Sequence, residues 1–186
     1  MTDYVRLTVI FFAAINPASV ALALYAWRDW RLQPRLRAVL LGAVVAIGAL
    51  ALAAMFSTTL LDALDIEPET FRIAAGIIMV TAGVQAVWRP HRPYAPQSPG
   101  WQAGFFPLAL PLLAGPASLA AALSYAADEG EGMAVAAFVP ALVAAAALVA
   151  FPPPGARFAL QAVAAVAGAL LVAVAAGLIV SGVRDI

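Results

Sequence analysis

The chain of 186 residues is 65% hydrophobic and only 11% charged, with ten basic and ten acidic side chains and no net charge. So few polar groups could not cover a water-soluble domain of this length, which excludes an ordinary cytosolic enzyme and a disordered chain. No basic field exists to hold nucleic acid, no cysteine exists for disulfides or thiolate metal sites, and a mean hydropathy of +0.96 makes the lipid bilayer the expected partner.

A membrane-crossing helix needs roughly 20 mostly apolar residues. Such runs occupy residues 7–27, 38–61, 73–88 (with Thr70, Phe71 and Arg72 as the first turn), 103–127, 132–156 and 158–183. The first run is read as a retained helix rather than a signal peptide, since Asp3 and a single arginine, Arg6, precede it. The breaks have turn chemistry. Residues 28–37 are polar with Pro34, 62–69 are acidic with Pro68, and 89–102 contain Pro90, Pro93, Pro96, Pro99 and His91. Residues 128–132 are a short acidic turn. The run 132–156 ends in three consecutive prolines, Pro152, Pro153 and Pro154.

All ten basic residues are arginine. The loops after the first, third and fifth runs hold seven of them (Arg28, Arg31, Arg35, Arg37, Arg89, Arg92, Arg157), and the opposite side holds Arg6, Arg72 and Arg184. The excess of arginine on cytoplasmic loops places the odd loops in the cytoplasm and both termini on the outer side of a multi-pass membrane protein.

Residues 16–24 read Asn-Pro-Ala-Ser-Val-Ala-Leu-Ala-Leu and residues 115–123 read Gly-Pro-Ala-Ser-Leu-Ala-Ala-Ala-Leu; from the proline onward six of eight positions are identical. The spacing of 99 residues joins the first run to the fourth, and three helices per half turn the second copy upside down. The expected fold is therefore an all-α membrane protein of six transmembrane helices in two inverted-topology three-helix repeats, with helices 1 and 4 broken at Pro17 and Pro116. Residues 1–88 form the first repeat, 89–102 a Pro-rich cytoplasmic linker, and 103–186 the second repeat.

Proline within a helix removes an N–H and clashes with the carbonyl four residues back; in lipid each freed polar group costs several kcal/mol unless satisfied. A restarted helix also offers free N–H groups and a partial positive charge, roughly +0.5. Two such starts would suit an anion or the carboxylate of an amino acid. The candidate substrate-binding residues are Asn16, Pro17, Ala18 and Ser19 with Gly115, Pro116, Ala117 and Ser118. Arg72, one turn into helix 3, is read either as snorkelling or pairing with Asp62, Asp65 and Glu69, or as a vestibule residue. Thr81 is expected to bond its own helix, and Gly42, Gly48, Gly76, Gly83, Gly168 and Gly177 to mark close helix contacts. No Asp or Glu lies inside a span, so an acidic proton relay and a divalent-metal path are disfavoured. No catalytic set, metal ligand cluster or cofactor motif is present in the pattern, and a homo-oligomer is left open.

Three stretches carry a family likeness. Phe11-Phe12-Ala13-Ala14-Ile15-Asn16-Pro17 resembles the first-helix motif of the MarC family of integral membrane proteins. Leu64-Asp65-Ile66 with Phe71-Arg72-Ile73-Ala74-Ala75-Gly76 resembles its third-helix entrance, and residues 107–116 (Pro-Leu-Ala-Leu-Pro-Leu-Leu-Ala-Gly-Pro) its fourth-helix motif. The resemblance implies a six-helix inner-membrane protein related to the lysine-exporter superfamily, which includes a transporter of small neutral amino acids. Ser19 and Ala117-Ser118 stand where the family pattern usually has Gly and Gly-Ala. The expected function is a secondary transporter or exporter of a small solute, best matched by small neutral amino acids, working by alternating access about a midplane site. The alternatives are a passive channel, an exporter of another small metabolite or anion, and a non-transporting membrane scaffold.

Overall fold

The computed structural model describes residues 2–88 and 100–186, and among these residues the chain is helical with no strand. Most of the expected linker, His91, Arg89 and Arg92 lie outside the described residues. The first span consists of α1 (Thr2–Ile15) and α2 (Pro17–Ala23), followed by a 3-10 turn, Tyr25–Asp29. Helix α3 (Leu32–Met55) starts six residues earlier than the apolar run at 38. Pro34 falls in its first turn, where a missing N–H costs nothing, so Arg35 and Arg37 belong to the helix rather than to a loop. A short α4 (Ser57–Ala63) completes this span, and α5 (Pro68–Trp88) follows.

The fourth span opens with a single turn, α6 (Trp101–Ala103), and continues through residues Gly104–Leu113 before α7 (Pro116–Glu129). Residues 104–113 are coiled but not α-helical. Phe106 (φ −131°, ψ 124°) and Leu110 (φ −122°, ψ 124°) are extended, and each precedes a proline, whose ring pushes the residue before it out of the α region. The two arms of this span meet at 60°. Helix α8 (Glu131–Ala150) is shorter than the run to 156, because Pro152–Pro154 cannot continue it. Helix α9 (Arg157–Asp185) is the longest, at 29 residues. Among the described residues, five helices are long and apolar enough to cross a membrane, six when the bent pair counts as one span.

Packing sorts these spans into centre and periphery. The first span is the most enclosed, with 61% of its apolar window buried against 22% for α5. The outer helices turn bare apolar rows outward: Leu40 and Val44 on α3 are 65% and 66% exposed, and Val166 on α9 is 69% exposed. In water such rows would be a liability; in lipid they meet a matching solvent. The first span packs on α8 and α9, while the fourth packs on α3 and α5.

The tightest contact joins α5 to α9. A Cβ built on Gly76 would stand 2.9 Å from the Ala175 carbonyl oxygen, and one on Gly182 would stand 2.7 Å from that of Glu69. With Gly83 against Gly168, the contact numbers 69/182, 76/175 and 83/168 share one sum, 251, the mark of antiparallel helices. Gly42 and Gly104 bring α3 against the irregular segment in the same way. Gly48 and Gly177 do not mark contacts: nothing lies within 4 Å of a Cβ built on either. Helix hydropathy cannot tell a lipid-facing glycine from a helix-facing one, because both surroundings are apolar.

Candidate functional site

The backbone of the first span is interrupted at Asn16, which adopts φ 49°, ψ 72°. This left-handed conformation is rare outside glycine, and asparagine is among the few side chains that tolerate it. Its amide then ties the restarted helix to a neighbouring one. Oδ1 accepts the Ser19 N–H at 3.1 Å, capping the restarted helix, and Nδ2 donates to the Ala164 carbonyl of α9 at 2.9 Å. A cap of this kind contributes about 1 kcal/mol. Asn16 is therefore occupied within the protein, and of the first-turn donors it leaves the Ala18 N–H uncapped, Pro17 having none. Asn16, Pro17, Ala18 and Ser19 are all buried. The Ser19 hydroxyl, one turn along, is buried with no hydrogen-bond partner.

The second interruption is built differently. Gly115 (φ −83°, ψ 172°) precedes Pro116 and supplies no side-chain cap, so the Ala117 and Ser118 N–H groups carry no side-chain partner. The Ser118 hydroxyl, on a residue only 1% exposed, lies 2.9 Å from the Leu113 carbonyl oxygen and 3.0 Å from that of Gly115. Its proton therefore goes to a carbonyl that the break set free. Ala117 is buried, Gly115 partly so, and Pro116 is exposed. The two motifs share no hydrogen bond. Helix α2 leans on α8, α9 and the segment 104–113, whereas α7 leans on α5, α3, α8 and α1.

Arg72 lies apart from both, at the end of the bundle that carries the two termini. Its partners are not Asp62, Asp65 or Glu69, close in sequence, but Asp128 at the end of α7 and Asp185 at the end of α9. Nη2 donates to Asp128 Oδ1 at 2.8 Å and Nε to Asp128 Oδ2 at 3.0 Å, a two-pronged grip, while Nη1 donates to Asp185 Oδ2 at 2.6 Å. Arg6 pairs with Glu129 beside it. Arg6, Arg72, Asp128 and Glu129, with Tyr125 and Gly177, line an open pocket of about 530 Å3. Beneath it, Phe11 is fully buried and meets Tyr125 and Phe138 edge-on, with ring centroids 6.4 Å and 5.7 Å away. The sequence marks Asp128 and Glu129 as part of a short acidic turn but holds no signal of their pairing.

At the opposite end, Tyr25 sits under two guanidinium groups, Arg28 at 4.9 Å and Arg157 at 5.5 Å from the ring centre. The hydrogen bond from Arg28 to the Tyr25 hydroxyl is the leading cause that raises the Arg28 pKa. Tyr25, Arg28, Asp29 and Arg35 line a second open pocket of about 710 Å3 with Phe151 and the prolines after it. Neither pocket includes a residue of the two Pro-Ala-Ser motifs. Thr81 donates to the Ile78 carbonyl of its own helix at 2.7 Å.

Comparison with known proteins bears on this arrangement. Over 132 residues the chain is 28% identical to a UPF0056 membrane protein of Chlamydia pneumoniae; the match covers 70% of this chain and 65% of that relative, just under two-thirds of its length. No solved structure matches. The model of the MarC family integral membrane proteins matches residues 1–186, and the chain therefore belongs to the MarC family of integral membrane proteins.

Proposed function

We propose that this protein is a secondary transporter of small solutes, with small neutral amino acids as the substrate class, working by alternating access between two inverted three-helix repeats. The observation that carries the reading is the interruption of two apolar spans at matched Pro-Ala-Ser starts, which leaves main-chain N–H groups and a buried, unpartnered Ser19 hydroxyl inside the bundle. Irregular backbone at membrane depth is tolerated where it is enclosed by protein or lines a cavity, and helix starts of this kind bind anionic groups. The residues of the two starts are small, mostly alanine, serine and glycine, which suits a small ligand.

The contact geometry supports the repeat. The spacing of 99 residues between the motifs carries 69 to 168, 76 to 175 and 83 to 182. The α5–α9 contact 83/168 then becomes 182/69, which is itself a contact, and 76/175 becomes itself. A pseudo-twofold axis at Gly76 and Ala175 accounts for all three. Exchanging the halves also turns the packing of the first span on α8 and α9 into that of the fourth span on α3 and α5. On this reading the domains are residues 1–88 and 103–186, and the termini lie on the outer side of the cell membrane. Asn16 and Pro17 position the restarted helix, Ala18, Ser19, Ala117 and Ser118 present donors, and Gly115 and Pro116 open the second start.

The experiment is counterflow of labelled L-alanine in proteoliposomes of the purified protein. Saturable uptake driven by internal unlabelled alanine is the expected result, with Ser19→Ala raising KM while the melting temperature holds. Flux without saturation would indicate a pore, and no flux of any small neutral amino acid would remove the assignment.

A further inference from the structure

We infer that the terminal end of the bundle carries a two-layer gate, made of the ion pairs Arg72–Asp128 and Arg6–Glu129 above the Phe11–Tyr125–Phe138 ring cluster, and that the conformation seen here has this gate closed. The inference rests on the alternating-access reading and adds to it which end is shut and by which groups.

The argument starts on α1. Counted at 1.5 Å per residue, Phe11 stands about 7.5 Å and Arg6 about 15 Å from Asn16 on the terminal side. The path from that end to the break thus meets a charged layer first and an aromatic layer second. Both layers are built across the two halves of the chain. Arg6 and Phe11 on α1 and Arg72 on α5 face Asp128, Glu129 and Tyr125 on α7 and Phe138 on α8. An ion pair within one half would move with it; a pair between halves must break if they rock apart. Asp185 holds Arg72 to α9, so the Arg72 side chain joins the end of α7 to the tight α5–α9 pair, through which the pseudo-axis runs. The α5–α9 contact brings main chain against main chain at its glycines, which suits it to act as the pivot of the rocking, while the ends of α7 and α1, farther from it, separate. Partly exposed charges suit this use. The side chains of Arg72 and Asp128 are 19% and 18% exposed, near enough to water for a released partner to be solvated, whereas a fully buried pair would be costly to part.

The chain has no cysteine, so reporters can be placed in the unaltered sequence. Ser19→Cys is introduced and labelled with a membrane-impermeant maleimide added from the terminal side of oriented proteoliposomes. Slow labelling is expected, rising about tenfold when Arg72→Ala or Arg6→Glu is added, the shift that loss of one charge-assisted pair gives. The swap Arg6→Glu with Glu129→Arg should return labelling to the slow rate. Unchanged labelling in Arg72→Ala or Arg6→Glu protein that melts like the parent overturns the gate, as does fast labelling of Ser19→Cys alone. If Arg72→Ala protein melts early, the charge swap decides: a double variant that melts normally yet stays fast overturns the inference. Labelling needs no substrate, so it can fail or succeed independently of counterflow. A second arm joins Arg6→Cys and Glu129→Cys with a cleavable bifunctional thiol reagent; counterflow should stop and return on reduction, and full counterflow while joined would also overturn it.

Discussion

Gly83 and Gly168 face each other across the α5–α9 contact so closely that a Cβ on Gly83 would stand 2.7 Å from the Gly168 carbonyl oxygen, and one on Gly168 would stand 2.8 Å from that of Gly83. Both obstacles are main chain, which cannot rotate away. In lipid, where a helix gains nothing by leaving an equally apolar solvent, such approach is the main source of association. Gly83→Ala and Gly168→Ala should therefore each destabilise by about 1–3 kcal/mol, read as a lower melting temperature in detergent. Gly48→Ala and Gly177→Ala meet open space and should be neutral or stabilising by up to ~1 kcal/mol through helix propensity.

Asn16 holds two jobs, and substitutions can separate them. Asn16→Gly keeps the left-handed backbone but loses the cap on Ser19 and the bond to Ala164. Asn16→Ala loses both and adds strain of order 1 kcal/mol for a side chain in the left-handed region. The expected order of stability is Asn, then Gly, then Ala, with the last about 2–3 kcal/mol below the parent. Melting of the three proteins, purified identically, checks it; equal melting of Gly and Ala variants would deny the strain.

The two motif serines should behave oppositely. Ser118→Ala frees a carbonyl that its hydroxyl now satisfies and should cost about 0.5–1.5 kcal/mol. Ser19→Ala removes a buried hydroxyl with no partner and should leave stability unchanged or slightly raised. Any loss in counterflow for Ser19→Ala would then belong to solute binding rather than to folding.

Phe11→Leu keeps an apolar side chain at a fully buried position but deletes its ring contacts with Tyr125 and Phe138. At about 0.5–1.5 kcal/mol per aromatic pair, the loss should be roughly 1–3 kcal/mol, visible as a lower melting temperature. If the gate inference holds, the same variant also speeds labelling at Ser19→Cys.

The amino-acid order alone decided the membrane class, the apolar runs and the extended residues ahead of two prolines in the fourth span. These are local matters: composition sets the solvent, proline lacks an N–H, and the residue before proline is driven out of the helical region, as at Phe106 and Leu110. It could not decide which surfaces meet. Gly48 and Gly83 look alike in sequence, yet one faces open space and the other a carbonyl oxygen, because lipid and a neighbouring helix are equally apolar. Charge pairing was equally out of reach. Asp62, Asp65 and Glu69 lie near Arg72 along the chain, but tertiary packing brings the ends of α7 and α9 to it instead; an arginine takes the carboxylates that the fold delivers, and sequence distance carries no information about that delivery.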